Sequence, residues 1–173
     1  AGDGRADAGL LIGAEMVSAD AHTPLDELPP FMRDVTFSSA VIPCIVVHEL
    51  VHHQQGYREG GTLLAQALVE GVADFLTDRA VGCYPTASAT YAYGDAREEA
   101  LWAEFREAMH GTDFSGWLYN GGGDGERPDN LGYWMGYRIA EAYYARAADK
   151  QRAVHDLLHI RHFEALLAAS GYP

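Results

Sequence analysis

A short run near residue 50, HELVH, combines two histidines with an acidic residue inside an apolar stretch. On an α-helix, residues four apart lie one above the other, so His48 and His52 could bind the same metal ion. Glu49 lies about 100° further round the helix, where its carboxylate could act on a water molecule without being a metal ligand. These are the groups that a hydrolytic zinc site requires. The same pattern also occurs by chance, and the alternative is a surface helix that carries two histidines.

A second apolar helix is predicted over residues 62–76, and one polar stripe breaks its pattern. The stripe consists of Gln66, Glu70 and Asp74, which recur every four residues. An isolated buried carboxylate is unfavourable, so acidic side chains on this helix need a cation or hydrogen-bond partners. Zinc held by the first helix would supply that cation for Glu70. The alternative for Glu70 is an exposed helix glutamate.

The spacing between the two helices fits a shared site. Glu70 follows His52 by 18 residues, enough for a turn over residues 56–61 and an antiparallel return helix. Gly71 has no side chain, which would let the helices approach closely. We therefore expect Glu70 to be the third zinc ligand, and Asp74 to accept a hydrogen bond from the free ring nitrogen of His48.

This pattern resembles the gluzincin group of zinc metallopeptidases, in which a glutamate on a second helix is the third ligand. More narrowly, the chain resembles a family of predicted zinc-dependent proteases related to bacterial gliding-motility lipoproteins, from about Gly9 to Tyr172. The segments that carry the resemblance are HELVHHQQ, LVEGVADF, YAYGDAREE, WLY, RPDNLGYWMGYRIAEAYY and FEALLAASGY. The resemblance implies one zinc ion per chain, with Glu49 as general base and His48, His52 and Glu70 as ligands. It also implies an exported or envelope-anchored protein.

Length and charge limit the function classes. The chain of 173 residues is expected to form a single domain over residues 1–173, and 48% of its residues are hydrophobic. A formal charge of −13 argues against nucleic acid or an anionic membrane surface as the main partner. No apolar run is long enough to predict a transmembrane segment. No signal peptide is recognisable, and we expect Ala1 to be the start of a processed or trimmed chain.

Two cysteines lie at informative positions. Cys44 is one turn before His48, and Cys83 follows the predicted Glu70 helix. In an antiparallel pair of helices these two ends come near each other, so a Cys44–Cys83 disulfide in an oxidising compartment is one interpretation. A buried thiol and an unrelated exposed thiol are the other.

The fold class expected from these elements is α+β and mostly α-helical, a zincin-like domain with a short sheet. The apolar segment Gly9–Val17 is the predicted strand, and substrate backbone would pair beside Gly13 to Met16. Residues 84–93 are predicted to form a loop, and residues 95–98 a capping box that opens a helix to about His110. The glycine-rich residues 121–125 predict either a flexible connector or a lid over the site.

A tyrosine-rich helix is predicted over residues 130–146. Amide hydrolysis places negative charge on the former carbonyl oxygen, and a phenol or a guanidinium could stabilise it. Tyr137 is the first candidate for this catalytic role, with Tyr133 and Arg138 as further oxyanion or substrate contacts. The alternative is aromatic core packing. His155 and His159 are also four residues apart, but solvated helix faces explain them without a second metal ion.

The sequence thus predicts zinc-dependent hydrolysis of peptide bonds, with a peptide or protein as substrate. The alternative from another class is a non-catalytic, zinc-stabilised binding or assembly component of a cell-envelope or motility system. A hydrolase acting on another amide or an ester is a third interpretation. Glu49 favours an enzyme, because a purely structural zinc site needs no carboxylate beside it.

Overall fold

The structure is a computed structural model that describes residues 10, 12–13, 17–20, 22–27, 38–57, 61–119 and 127–173. Helices account for the regular structure in these ranges, joined by turns and short irregular segments. The α-helices of the described residues are α1 (Ile42–Gln54), α2 (Leu63–Val81), α3 (Ser88–Asp95), α4 (Glu98–Ala108), α5 (Leu131–Arg146), α6 (Lys150–Leu158) and α7 (Phe163–Ser170). Short 3-10 helices span Leu25–Glu27 and Ser39–Val41. In this described part of the chain, no helix is both long and apolar enough to cross a membrane.

The short sheet predicted from the sequence is wrong. The described residues contain no β-strand, and their only bridge is an isolated parallel one between Ala19 and Ser38. Within the predicted strand Gly9–Val17, residues 10, 12–13 and 17 are described, and they belong to no strand. The other residues of that segment lie outside the described part of the chain. A strand needs a partner strand to form a stable sheet, and the apolar run that leads into HELVH forms helix α1 instead. Over its described residues the fold is therefore all-α rather than α+β.

Helix α2 is the centre of the molecule. Every residue from Leu63 to Thr77 is buried, because α1 packs on one side of α2 and α5 on another. Thr62 caps the first turn by accepting a hydrogen bond from the backbone N–H of Ala65, as expected for a threonine before an apolar helix. Gly82 ends the helix in the left-handed conformation, with φ of 74°. A central buried helix explains why acidic side chains on α2 need specific partners.

Helices α2 and α5 meet backbone to backbone at two glycines. A methyl group added to Gly136 would overlap the carbonyl oxygen of Ala67, and one added to Gly71 would overlap the backbone of Tyr137. Glycine is therefore required at both positions by close approach rather than by an unusual backbone conformation. This contact fixes how far α5 is shifted along α2, and with it the position of every α5 side chain relative to Glu70.

We expect Gly136→Ala to destabilise the protein by about 3 kcal/mol or more, the upper end for overpacking, because the obstructing atom is backbone. Alanine gains about 1 kcal/mol of helix propensity, which does not offset the overlap. In a chain of this size the loss should lower Tm by about 6–12 °C in thermal unfolding followed by circular dichroism. The matched control is Gly61→Ala, since a methyl group there has no neighbour within 4 Å. Equal Tm values for the two variants would contradict this account of the helix contact.

The segment predicted as a loop over residues 84–93 contains most of helix α3, so that prediction is wrong. Asp95 ends α3 instead of capping the next helix, because its carboxylate accepts a hydrogen bond of 2.9 Å from Nε1 of Trp134. Helix α4 begins after Arg97 without a side-chain cap. The glycine-rich loop predicted over residues 121–125 lies outside the described residues.

Candidate metal centre

The two helices that carry the HELVH run and Glu70 lie antiparallel. A disulfide joins Cys44, near the start of α1, to Cys83, just after α2, with the two Cα atoms 5.7 Å apart. Of the two sequence interpretations of these cysteines, the structure therefore has the bridged one. The bridge holds one end of the helix pair, and the metal-ligand candidates lie further along it.

Three side chains converge between α1 and α2. The Nε2 atoms of His48 and His52 are 3.0 Å apart, and Glu70 Oε2 lies 3.6 Å from the first and 3.3 Å from the second. Tetrahedral zinc with ligand distances of about 2.0–2.1 Å would separate its ligand atoms by about 3.3 Å, so the three atoms fit one such ion. His48 and Glu70 are buried, with 5% and 8% of their surface exposed. These residues form a group that could hold a metal ion.

Asp74 orients the ring of His48. Its Oδ1 lies 2.9 Å from Nδ1 of His48, and neither atom has another hydrogen-bond partner. Asp74 is fully buried, and its Oδ2 accepts a hydrogen bond of 3.0 Å from the hydroxyl of Tyr91. The carboxylate can only accept, so it selects the tautomer of His48 with hydrogen on Nδ1 and a lone pair on Nε2.

Gln55 fixes the tautomer of His52, as Asp74 fixes that of His48. Gln55 Oε1 lies 2.9 Å from Nδ1 of His52, while Gln55 Nε2 donates to the carbonyl oxygen of Val69 at 2.8 Å. A backbone carbonyl only accepts, so the amide group of Gln55 must present its oxygen to His52. His52 then carries its hydrogen on Nδ1, and its Nε2 lone pair faces the cluster.

The result is three lone-pair atoms that face one another in a largely buried site, and such an arrangement requires a cation. Without a metal ion the cluster holds a proton. Burial opposes the charged form of His48, but hydrogen bonds and charge from Asp74 and Glu70 outweigh it and raise its pKa to about 9. Burial alone would raise the pKa of Glu70, yet its contacts with His48 and His52 hold that pKa well below its usual range. A bound metal ion would take the place of that proton.

The other carboxylate oxygen of Glu70, Oε1, is held by a hydrogen bond. Tyr119 donates its hydroxyl hydrogen to Glu70 Oε1 at 2.8 Å, and Gln66 Nε2 donates to the same hydroxyl oxygen at 2.7 Å. Gln66 lies on the stripe predicted from the sequence, whereas Tyr119 and Gln55 were not predicted as part of the site. Tyr119 lies in an irregular segment where no periodicity signals a role, and the WLY resemblance was the only sequence signal there.

Comparison with protein-family models places the chain in a family. Residues 30–160, more than two thirds of the chain, match the model of the family described as Predicted Zn-dependent protease (DUF2268). The chain belongs to this family. No curated protein and no solved structure matches it. The family description names zinc and proteolysis; it says nothing of gliding motility or of the gluzincin group.

In this Zn-dependent protease family member, Tyr133 is the α5 side chain that lies at the cluster. Its ring stacks on His48, with centroids 6.3 Å apart and 19° between the planes. Burial and the charge of Glu70 raise the pKa of the Tyr133 hydroxyl above its usual range. A phenol is protonated at neutral pH even at its ordinary pKa of about 10, so the raised pKa extends that state to more alkaline pH.

The other two predicted contacts on α5 have partners elsewhere. Tyr137 donates its hydroxyl hydrogen to Asp78 Oδ2 at 2.9 Å, one helical turn beyond Asp74. The guanidinium of Arg138 forms ion pairs with Glu98 and Glu141. The structure therefore brings Tyr133, and not Tyr137 or Arg138, to the metal-ligand candidates.

Glu49 lies on α1 next to His48 and is partly exposed. Its carboxylate is not one of the three converging ligand atoms. Glu49 therefore lies outside the ligand set.

The second pair of histidines forms no comparable site. His155 and His159 stack with ring centroids 4.4 Å apart, and Nδ1 of His159 lies 2.8 Å from the carbonyl oxygen of His155. Both are exposed. Within the described ranges, the one group of three or more potential ligands that converges is that of His48, His52 and Glu70.

Proposed function

We propose that the protein is a zinc-dependent peptidase of the gluzincin type that hydrolyses peptide bonds in peptides or proteins. The observation that carries this proposal is the meeting of three lone-pair atoms from two helices, two of them on buried side chains and each oriented by a further side chain. Such a set of nitrogen and oxygen ligands suits zinc better than the hard cations magnesium and calcium. A third ligand from a glutamate on a second helix is the gluzincin arrangement.

In this proposal His48, His52 and Glu70 hold one zinc ion per chain. Zinc, when bound, supplies a Lewis acid that polarises the scissile carbonyl and lowers the pKa of water. Glu49 accepts a proton from the attacking water and delivers it to the leaving amine. A separate proton acceptor is needed for the attacking water, since the carboxylates of Asp74 and Glu70 are engaged with histidines or with Tyr119.

Tyr133 is the group we assign to the developing oxyanion. Burial and the charge of Glu70 raise the pKa of its hydroxyl, so the phenol stays neutral even at alkaline pH. A neutral phenol beside the ligand set could donate to the oxygen that gains charge in the transition state. We prefer it to Tyr137 because its ring stacks on His48, a metal-ligand candidate, whereas the hydroxyl of Tyr137 lies at Asp78.

The disulfide and the net charge bear on where the protein acts and on what. Disulfides persist in oxidising compartments, so the Cys44–Cys83 bridge supports an exported protein. A formal charge of −13 favours neutral or cationic peptides over acidic ones.

The test is cleavage of a peptide library by the zinc-loaded protein, followed by mass spectrometry. We expect defined products that disappear after treatment with a chelator and return with zinc but not with magnesium. If the library stays intact while the protein retains its zinc, the peptidase proposal fails. The non-catalytic zinc-stabilised component would then be favoured.

A further inference from the structure

Two residues near the metal centre have an unusual backbone conformation. Among the described non-glycine residues, only Tyr119 and Asn130 have positive φ, at 60° and 63°. This left-handed region is unfavourable for most L-residues and is least so for asparagine. Such strain persists only where surrounding contacts hold it, and it is found disproportionately at functional sites.

The two strained residues are joined to each other. The backbone N–H of Tyr119 donates to Oδ1 of Asn130 at 3.1 Å. A second bond, of 2.7 Å from the N–H of Gly132 to the carbonyl oxygen of Trp117, ties the same two segments together. Asn130 is the N-cap residue of α5, so the first turn of that helix anchors the backbone of Tyr119.

The conformation places the phenol of Tyr119 against a metal-ligand candidate. Because its oxygen accepts a hydrogen bond from Gln66, its own hydrogen is directed at Glu70 Oε1. Gln66 is 2% exposed, which leaves its amide little freedom to turn away. With Oε1 held in this way, Oε2 is the oxygen that Glu70 presents to the two histidines.

Core packing does not explain Tyr119. The residue keeps 56% of its surface exposed, although its hydroxyl reaches a glutamate that is only 8% exposed. An aromatic ring contributes to the core by burial, and most of this one is not buried. The hydroxyl is therefore the part of the side chain that matters for Glu70.

We propose that Tyr119 is a positioning residue for the metal centre, which orients Glu70 through its hydroxyl and is itself held in place by the side chain of Asn130. This inference rests on the proposed zinc-dependent function and adds two residues that are not among the three metal-ligand candidates. Side chains that orient metal ligands commonly change metal affinity by about 10–100-fold when they are removed.

The test is zinc affinity of the full chain, measured by competition with a chromophoric chelator. Tyr119→Phe removes only the hydroxyl and should raise the zinc Kd by about 10–100-fold. Asn130→Gly keeps the left-handed backbone accessible but removes the acceptor, and should raise the Kd by several-fold. In the Tyr119→Phe background the Asn130 substitution should have no further effect, because the group through which it acts is absent.

Two controls separate this role from a merely structural one. Tyr143→Phe also removes a phenol that donates to a carboxylate, at 3.0 Å to Asp156, and it should leave the zinc Kd unchanged. Metal-free Tyr119→Phe should still unfold in one cooperative transition, with Tm lowered by only about a few degrees for the lost hydrogen bonds to Gln66 and Glu70, so that weaker zinc binding is not due to loss of the fold.

Three outcomes of the zinc-affinity measurements have different meanings. If wild type binds zinc and Tyr119→Phe binds it within twofold as well, the positioning role is overturned and the proposed function stands. If Asn130→Gly weakens zinc binding equally in both backgrounds, the link from Asn130 through Tyr119 is overturned. If wild type binds no zinc, the proposed function fails and the positioning role fails with it.

Discussion

Replacing Glu49 by glutamine is expected to lower kcat/KM for peptide cleavage by about 10²–10⁴-fold, the usual contribution of a general acid–base group. The amide has nearly the shape of the carboxylate but cannot accept a proton at neutral pH. Zinc content should remain that of wild type, because Glu49 is not one of the three converging ligand atoms. Parallel measurement of activity and of metal by plasma emission spectroscopy separates loss of chemistry from loss of the ion.

The matched control is Glu107→Gln, an identical change on an exposed position of α4. It alters net charge by the same amount and should leave kcat/KM unchanged. If Glu49→Gln cleaves peptides as fast as wild type, the assigned mechanism is wrong. Full activity with full zinc content would mean that another group accepts the proton of the attacking water.

The ligand set could be predicted because its signals are local. Two histidines four residues apart lie on one face of any helix, whatever surrounds them. The stripe of Gln66, Glu70 and Asp74 stands out because the rest of that helix is apolar, and burial makes each polar group need a partner. In the structure all three of these side chains lie in the network around the cluster.

The position of α5 along α2 could not be predicted in the same way. Tyr133 and Tyr137 are one turn apart on a single stripe, and their spacing does not say which of them reaches the metal-ligand candidates. The backbone contact at Gly136 decides it, since it sets Tyr133 against His48 and Tyr137 against Asp78. Periodicity identifies the face of a helix but does not fix its shift against a neighbour.

Short and irregular segments were the other source of error. Helix α3 has the sequence SATYAYGD, in which Ser, Thr, Tyr, Gly and Asp have weak helix propensity, and it is stabilised by distant partners. Tyr91 donates to Asp74, and Gly94 lies against the ring of Trp134. Tyr119 is a similar case, because its role depends on hydrogen bonds to residues far away in sequence. The sheet was expected from the likeness to zincins, and no pair of strands in the sequence supported it.

Glu70→Ala is expected to reduce the zinc content of protein purified without added metal from about one ion per chain to less than about a tenth of that. The substitution removes the only anionic group of the ligand set and leaves two neutral imidazoles on one helix. The loss of zinc binding should also remove the stabilisation that zinc gives to the wild-type fold. Zinc at about 1,000 times its Kd would stabilise wild type by about 4 kcal/mol, and the variant should show no such rise in Tm.

Glu141→Ala is the matched control, since Glu141 is engaged in an ion pair with Arg138 rather than at the cluster. It should keep both its zinc and the zinc-dependent rise in Tm. Retention of zinc by Glu70→Ala would mean that the third ligand is another group, although Glu70 lies within 3.6 Å of both imidazole Nε2 atoms. Absence of zinc from wild type, even after zinc is offered, would remove the catalytic interpretation. The paired histidines would then have to be explained by the proton that the cluster holds between Asp74 and Glu70.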